Sequence, residues 1–215
     1  KSIAYKTSVR NTNFFIDISV REVRRIARDK VSSSIDDAIG DVRDGMVVMI
    51  GGFGGAGAPL ELIHVLVGRY KSTGSPGSLT VVNNNAGNGA IGIAAMIDAG
   101  MVAKMVCSFP RYSGPRAFTE RYLAGTIALE LVPQGTLAER IRAVGAGIPA
   151  FYTPTSFGTD VARGKPVAEF DGRHYVQERW LKADVAILKA ELADTKGSLT
   201  YRKAARNFSP LMAMA

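Results

Sequence analysis

Residues 44–59 read DGMVVMIGGFGGAGAP, a short apolar run that leads directly into a glycine-rich loop. The five consecutive apolar residues 46–50 predict a strand that is buried on both faces, as strands of parallel sheets are. Pro59 suits the first turn of a helix, where its missing N–H costs nothing. This stretch therefore predicts a strand, a loop and a helix in succession, with glycines that let a ligand approach the backbone closely.

The same alternation continues along the chain. Apolar, β-favouring runs at 79–82, 102–106 and 127–132 are each followed by a segment of helical character, and we expect Thr136 and Glu139 to cap the last helix as a capping box. Repeated strand–helix alternation predicts an α/β fold with an open, mostly parallel sheet and helices on both faces. Ligands of such sheets bind at the carboxyl ends of the strands. The segments expected to meet there are residues 51–57, 83–87, 107–111 and 133–135.

The composition excludes several classes of protein. The 215 residues are 47% hydrophobic and 21% charged, which is typical of a globular domain and not of a disordered or collagen-like chain. The single cysteine, Cys107, excludes an internal disulfide, and we expect it to be buried. His64 and His174 are far apart and predict no metal site; we expect a structural role on a core-rich helix for His64 and a surface loop for His174.

The charge is concentrated in the first part of the chain. Residues 1–30 contain eight basic and three acidic side chains, which supply +5 of the net charge of +8. We expect them to be a poorly ordered extension outside the fold; an organelle transit peptide is the alternative. The mildly basic remainder predicts no nucleic-acid partner. Because no apolar run approaches about 20 residues, we expect no membrane partner and a cytoplasmic location.

The glycine loop permits more than one interpretation. Residues 52–57 match the pattern G-x-G-x-x-G of dinucleotide-binding folds. That class also needs an acidic residue at the end of the second strand to hold a ribose, and this strand ends in three asparagines, 83–85. The three asparagines therefore disfavour a nicotinamide-dependent dehydrogenase. A tight turn without a ligand remains a further alternative.

A wider window is more specific. The whole of residues 44–59 resembles the signature of the family I coenzyme A transferases. Three further segments agree with that family: Asn84-Asn85-Ala86-Gly87, VPQGTLAERIR at 132–142 and RKAARNF at 202–208. The resemblance is to the A (alpha) subunit of two-subunit enzymes, whose fold is of the CoA-transferase/NagB-like type. It covers residues 31–215, which we expect to be one domain that lacks the C-terminal part of those alpha subunits.

The resemblance implies a division of labour with a partner chain, the B (beta) subunit of the CoA-transferase. In this family the nucleophile is a glutamate of the beta subunit within a Ser-Glu-Asn-Gly-type motif, which this sequence lacks. Asn84 and Gln134 match amides that lie beside the reacting glutamyl carbonyl. No resident cofactor is implied, because the coenzyme A thioester is a substrate, and an A2B2 assembly is the family expectation. The residues implied to lie against coenzyme A are Gly51, Gly52, Phe53, Gly54, Gly55, Ala56 and Gly57. The glutamates given ordinary roles are Glu61 (helix first turn), Glu130 (strand), Glu139 (capping box) and Glu178 (surface).

The resemblance also points to a substrate. CSFPR at 107–111 and NNAGNG at 84–89 are similar to the alpha subunits that act with succinyl-CoA on 3-oxoadipate. A guanidinium at Arg111 can hold a second carboxylate in a bidentate manner, and 3-oxoadipate and succinate both have one. A plain surface arginine is the alternative. For the whole chain, the alternatives are an alpha subunit for acetoacetate or another 3-oxo acid, or a non-catalytic CoA-binding fragment.

Overall fold

A computed structural model of the chain describes residues 30–110 and 117–214. Its strands are β1 (Val47–Ile50), β2 (Leu79–Val82), β3 (Val102–Cys107), β4 (Ala128–Leu131), β5 (Ala150–Thr153), β6 (Val167–Phe170), β7 (Arg173–Arg179), β8 (Val185–Ile187), β9 (Leu192–Ala193) and β10 (Leu199–Thr200). Its α-helices are α1 (Ile35–Ile39), α2 (Leu60–Thr73), α3 (Ile93–Ala99), α4 (Ala117–Leu123), α5 (Gln134–Gly145) and α6 (Ser209–Met212). Short 3-10 turns lie at Asp160–Ala162 and Lys203–Arg206.

The centre of the fold is a five-stranded sheet with the strand order β4-β3-β2-β1-β8. Every neighbouring pair in it is parallel. The four strands expected from the sequence therefore form its main part, and their carboxyl ends lie along one edge. The strand β8 pairs with the free side of β1, although it comes after every other strand of this sheet in the sequence.

The two faces of the sheet are covered by different helices. Val48 and Ile50 of β1 pack with α1, α2, α3 and α4 in one apolar cluster. Met49 faces the other way and packs with Leu137 of α5 and Met212 of α6. Full burial of one such side chain contributes about 1.5–3 kcal/mol. The helices on both faces confirm the predicted α/β fold. Because both faces are covered, β1 and β2 need apolar residues at successive positions.

Two smaller sheets complete the described part of the chain. Strands β5, β7 and β6 form an antiparallel sheet, and β9 pairs with β10 as a short antiparallel hairpin. The turn between β6 and β7 is Asp171-Gly172, and both residues have positive φ, as a two-residue hairpin turn requires. An Asp-Gly dipeptide between two strands is itself a sequence signal for such a hairpin.

Glu178 on β7 is buried, so the expectation of a surface position is wrong. Its carboxylate lies 2.5 Å from Lys165 Nζ and 4.0 Å from Arg140 Nε. Arg140 on α5 also contacts Glu130 of β4 at 2.7 Å, and Glu130 contacts Lys104 of β3 at 2.5 Å. These five side chains tie the main sheet, α5 and the small antiparallel sheet together. Because these ion pairs join residues that are far apart in the sequence, no local pattern predicts that Glu178 is buried.

Two local expectations are corrected as well. Helix α5 begins at Gln134, so Thr136 lies inside its first turn and is buried, and no side chain caps the helix. The carboxylate of Glu139 instead pairs with Arg142 at 2.6 Å. His64 is exposed on α2 rather than part of the core. His174 is exposed as expected, although it lies on β7, where its ring stacks on Phe157 with centroids 4.7 Å apart.

The remaining expectations fall elsewhere. Apart from Lys30, the extension expected at residues 1–30 lies outside the described residues. Arg111 also lies outside them. Within residues 30–110 and 117–214, no helix is long and apolar enough to cross a membrane.

Candidate functional site

The loop 51–57 is a tight turn directly after β1. Gly51 N–H donates to the Ile187 carbonyl at 2.9 Å, and Phe53 and Ala56 exchange two backbone hydrogen bonds of 3.0 and 3.1 Å. Gly57 has φ +73°, and a Cβ there would lie 2.7 Å from the carbonyl oxygen of Ala205. Because an L side chain is strained at that φ and has no room beside that carbonyl, glycine is required at this position.

The chain after β10 supports this loop from outside. Asn207 Nδ2 donates to the Ala56 carbonyl at 3.0 Å and to the Ala204 carbonyl at 2.7 Å. The Phe53 ring stacks on Phe208 with centroids 6.4 Å apart, yet 45% of Phe53 stays exposed. The loop is therefore held in one shape while its aromatic side chain remains accessible to a ligand.

Three consecutive asparagines follow β2 and are all buried. Asn83 Nδ2 donates to the Ile50 carbonyl at 2.5 Å, which links the end of β2 to the start of the glycine loop. Asn83 Oδ1 accepts from Asn85 N–H at 3.0 Å, and Asn85 Oδ1 accepts from Gly87 N–H at 2.8 Å. Asn83 and Asn85 thus hold the turn that carries Asn84.

Asn84 itself is fixed through its carbonyl oxygens. Its side-chain Oδ1 accepts from Asn85 Nδ2 at 2.8 Å, and its backbone carbonyl accepts from Ser108 and Phe109 N–H at 3.1 and 3.0 Å. No acceptor among the described residues takes a hydrogen bond from Asn84 Nδ2. The orientation leaves an amide donor at the carboxyl edge of the sheet, which is the type of group that stabilises an oxyanion.

The ends of β3 and β4 complete this edge. Val132 N–H donates to the Cys107 carbonyl at 3.0 Å, and Gln134 follows as the exposed first residue of α5. Within residues 30–110 and 117–214, the Gln134 side chain has no hydrogen-bond partner. Asn84 and Gln134 follow β2 and β4, with β3 between them, and the carboxyl ends of those two strands lie two strand spacings, about 10 Å, apart.

Two further groups lie at the end of β3. Cys107 is fully buried, and burial raises the pKa of its thiol to about 12, so it is not a thiolate nucleophile at neutral pH. Ser108 Oγ is buried and has no hydrogen-bond partner in the described part of the chain. The expected buried position of Cys107 is confirmed.

A cavity of about 150 Å³ opens between the glycine loop and the asparagine turn. Gly51, Gly54 and Gly55 form one wall, and Asn83 and Asn85 contribute to the other. Its remaining described walls are mainly aliphatic and include no charged side chain. They are formed by Ile50, Ala58, Leu60, Ile63, Gly87, Asn88, Ile91, Gly92 and Ile93. Such a cavity suits a neutral, partly apolar ligand segment. Asn84 and Gln134 do not line it.

The described residues contain no cluster of side chains suited to bind a metal ion. Within 30–110 and 117–214, no group of three or more His, Cys, Asp or Glu side chains is arranged to hold a metal ion. The end of β2 carries amides and no acidic residue, so the ribose contact of a dinucleotide-binding fold has no counterpart there.

The family profile described as coenzyme A transferase matches residues 32–215. The chain belongs to the coenzyme A transferase family. The glycine loop, the asparagine turn and the start of α5 are thus the carboxyl-edge loops of a transferase of this family.

Curated relatives are similar over most of the chain. The A subunit of the 3-oxoadipate CoA-transferase from Pseudomonas putida is 55% identical over 187 residues, which are 87% of this chain and 79% of that protein. The A subunit of the succinyl-CoA:3-ketoacid coenzyme A transferase from Xanthomonas campestris is 50% identical over 176 residues, 82% of this chain and 70% of that one.

A solved structure agrees with the fold. The apoenzyme of the acyl-CoA transferase YdiF from Escherichia coli O157:H7 superimposes with a TM-score of 0.71. The match covers 85% of this transferase chain and 38% of the YdiF chain, at 22% sequence identity. At that identity the comparison supports the architecture alone.

Some residues that shape the site were not among the sequence candidates. Asn83 and Asn85 hold Asn84, while Asn207 and Phe208 brace the glycine loop. Ser209 lies against Gly51, where an added Cβ would be 2.8 Å from Ser209 Oγ. The segment 202–208 carried the family resemblance, which was the available signal; its position against residues 51–57 depends on tertiary packing.

Proposed function

We propose that this chain is the alpha subunit of a two-subunit enzyme that transfers coenzyme A from succinyl-CoA to 3-oxoadipate. The observation that carries the proposal is Asn84, an amide donor fixed beside the glycine loop in a chain 55% identical to its counterpart in a 3-oxoadipate CoA-transferase. The coenzyme A thioester is a substrate in this proposal, and no resident cofactor is required. The A2B2 assembly and a cytoplasmic location belong to the same proposal.

In the proposed reaction, successive acyl transfers take place at one glutamate carboxylate of the beta subunit. A glutamate of that partner chain attacks the succinyl-CoA carbonyl and expels the coenzyme A thiolate, which leaves a mixed anhydride. The thiolate then attacks the glutamyl carbonyl, releases succinate and leaves a glutamyl thioester. The incoming 3-oxoadipate carboxylate repeats the two steps in reverse and departs as 3-oxoadipyl-CoA. Covalent catalysis thus replaces one difficult exchange by several easier ones.

The residues of this chain act on the charge that these steps create. Each attack produces a tetrahedral oxyanion, and the amide groups of Asn84 and Gln134 supply N–H donors for it. One such donor is typically worth about 3 kcal/mol in the transition state. The loop 51–57 and the neutral cavity beside it accept the pantetheine arm, with Phe53 packing on its apolar part.

The proposal is tested by co-expression with a cognate beta subunit, followed by purification through a tag on this chain. We expect both chains to co-purify and to form 3-oxoadipyl-CoA from succinyl-CoA, with a higher kcat/KM for 3-oxoadipate than for acetoacetate. Retention of the beta subunit without transferase activity would contradict the enzymatic role. Absence of a complex would favour a non-catalytic CoA-binding fragment.

Arg111 is proposed to select the dicarboxylic acid. Arg111→Ala removes the partner of the second carboxylate, so kcat/KM for 3-oxoadipate should fall roughly tenfold to hundredfold. Acetoacetate lacks that carboxylate, and its kcat/KM should change less than threefold. The matched control is Arg43→Ala, an exposed arginine on the connection that enters β1. Equal losses for both acids would refute selective recognition by Arg111.

Acetoacetate or another 3-oxo acid is the second candidate substrate. The relative from Xanthomonas campestris, 50% identical, is named as part of a succinyl-CoA:3-ketoacid coenzyme A transferase, which supports this alternative. A higher kcat/KM for acetoacetate than for 3-oxoadipate in the wild-type assembly would replace the first substrate by the second.

A further inference from the structure

A second cavity, of about 350 Å³, adjoins the glycine loop near its end. Ala56 and Gly57 contribute one wall, and the backbone segment 204–205 contributes another. Its charged lining residues are Lys189, Glu191, Arg202 and Lys203. The loop 51–57 therefore borders two cavities, a neutral one formed by Gly51, Gly54 and Gly55 and a basic one formed by its last two residues.

In the described part of the chain, the basic side chains of this second cavity have no competing partner. Lys189, Arg202 and Lys203 are exposed, and none of them pairs with a carboxylate of the described residues. Glu191 is the one acidic residue among the lining side chains, so the cavity carries a net positive charge. Unpaired cations around a concave surface attract anions, and an arginine fork matches phosphate oxygens in particular.

The backbone at this cavity is also unusual. Lys203 has φ +49°, in the left-handed region that a residue with a long side chain seldom adopts. It opens the 3-10 turn that leads to Ala205, whose carbonyl leaves room only for glycine at position 57. Strained positions of this type are concentrated at ligand sites, where the surrounding structure holds them. The strain therefore supports a binding role independently of the charge.

We propose that this basic cavity binds the phosphate groups of the coenzyme A thioester. This inference rests on the proposed function, which supplies the ligand. Coenzyme A has a neutral pantetheine arm at one end and a strongly anionic 3′-phosphoadenosine diphosphate at the other. The glycine loop offers a neutral cavity and a basic cavity in the same order. Arg202 and Lys203 bind the phosphate oxygens, while Lys189, two residues after β8, adds long-range attraction.

The test compares two donors in the assembly with the beta subunit. Succinyl-CoA carries the phosphates, and succinyl-pantetheine does not. The variant is Arg202→Gln with Lys203→Asn, because asparagine tolerates the left-handed backbone while it removes the charge. We expect KM for succinyl-CoA to rise roughly tenfold to hundredfold, and KM for succinyl-pantetheine to change less than twofold. Lys71→Gln, on the last turn of α2, is the matched control.

Loss of activity with both donors in equal measure would show damage to the fold rather than loss of a phosphate site. An unchanged KM for succinyl-CoA would overturn the proposal directly. The ratio of the two KM values is the deciding quantity, because general destabilisation affects both donors alike.

A binding measurement separates this inference from the proposed function. Titration of the assembly with 3′-phosphoadenosine 5′-diphosphate should show binding that weakens with added salt and weakens at least tenfold in the double variant. If the wild-type assembly has no transferase activity, the proposed function fails, and this titration still decides the site. No binding to the wild-type assembly, or equal binding to both proteins, would overturn the phosphate site.

Discussion

The surroundings of Asn84 show how neighbouring residues leave one polar group unengaged. Its Oδ1 accepts from Asn85 and its backbone carbonyl accepts from two amides after β3, so within the described residues its Nδ2 is the group without a partner. Asparagine after a strand often does no more than cap its own turn. Here the side chains of Asn83 and Asn85 accept the backbone hydrogen bonds that hold the turn, and the side chain of Asn84 accepts none of them.

We expect Asn84→Asp to lower kcat by roughly 100- to 1000-fold, because a carboxylate cannot donate to the oxyanion. The substitution keeps the Oδ1 that Asn85 contacts, so a thermal melt should still show a folded chain. Gln177→Glu on β7 is the matched exchange of an amide for an acid away from this edge, and its kcat should stay within twofold. A kcat for Asn84→Asp near that of the wild type would remove the residue from the mechanism.

Gly57 gives a prediction about stability. Gly57→Ala places a Cβ 2.7 Å from the Ala205 carbonyl at a positive φ, so we expect the free energy of unfolding to fall by about 2–4 kcal/mol. Gly55→Ala is the stability control, since nothing lies within 4 Å of its added Cβ. Denaturant titration of both variants measures the difference. Equal stability would mean that the loop and the 202–208 segment separate easily.

Between elements, the ionic cluster around Arg140 connects the sheet to the helix that carries Gln134. Burial raises the pKa of Glu130, but hydrogen bonds and charge from Lys104 and Arg140 outweigh burial and hold the pKa below its usual value of 4.5. A carboxyl whose pKa is lowered by folding stabilises the native state above its unfolded pKa. That contribution is lost as the pH falls through the folded pKa.

Glu130→Gln should therefore be less stable than wild type at pH 7, and the difference should shrink as the pH falls below about 4.5. Denaturant unfolding of both proteins between pH 7 and pH 3 measures it. Glu120→Gln, an exposed residue of α4 with no ion pair among the described residues, is the control and should show little change with pH. A difference that stays constant over this range would exclude the ion pairs as its source.

The sequence predicts individual strands and turns better than it predicts the tertiary contacts between them. Buried strands such as β1 are visible because parallel strands covered on both faces need uninterrupted apolar runs. The hairpin at Asp171-Gly172 is visible because few dipeptides accept two positive φ angles. The predicted capping box is absent because the helix begins two residues before Thr136, which is buried; tertiary packing overrides the local pattern here.

In the candidate site, too, local motifs are predictable from the sequence and long-range contacts are not. The glycine loop and Asn84 could be proposed from motifs that resemble a family, since each motif is contiguous. The brace from Asn207 and the basic cavity could not, because their parts join residues separated by up to 151 positions. The surface position predicted for Glu178 is wrong for the same reason, because its partners Lys165 and Arg140 lie 13 and 38 positions earlier in the sequence.

Considered as a whole, the molecule closes its glycine loop with residues far along the sequence. Ala56 accepts from Asn207, 151 residues later, and β1 pairs with β8 before that. At about 5–20 residues per second, a ribosome needs roughly 8–30 s to make the intervening chain. The nascent loop stays without its brace throughout that interval. The loop therefore reaches its braced form only after residue 207 has been synthesised.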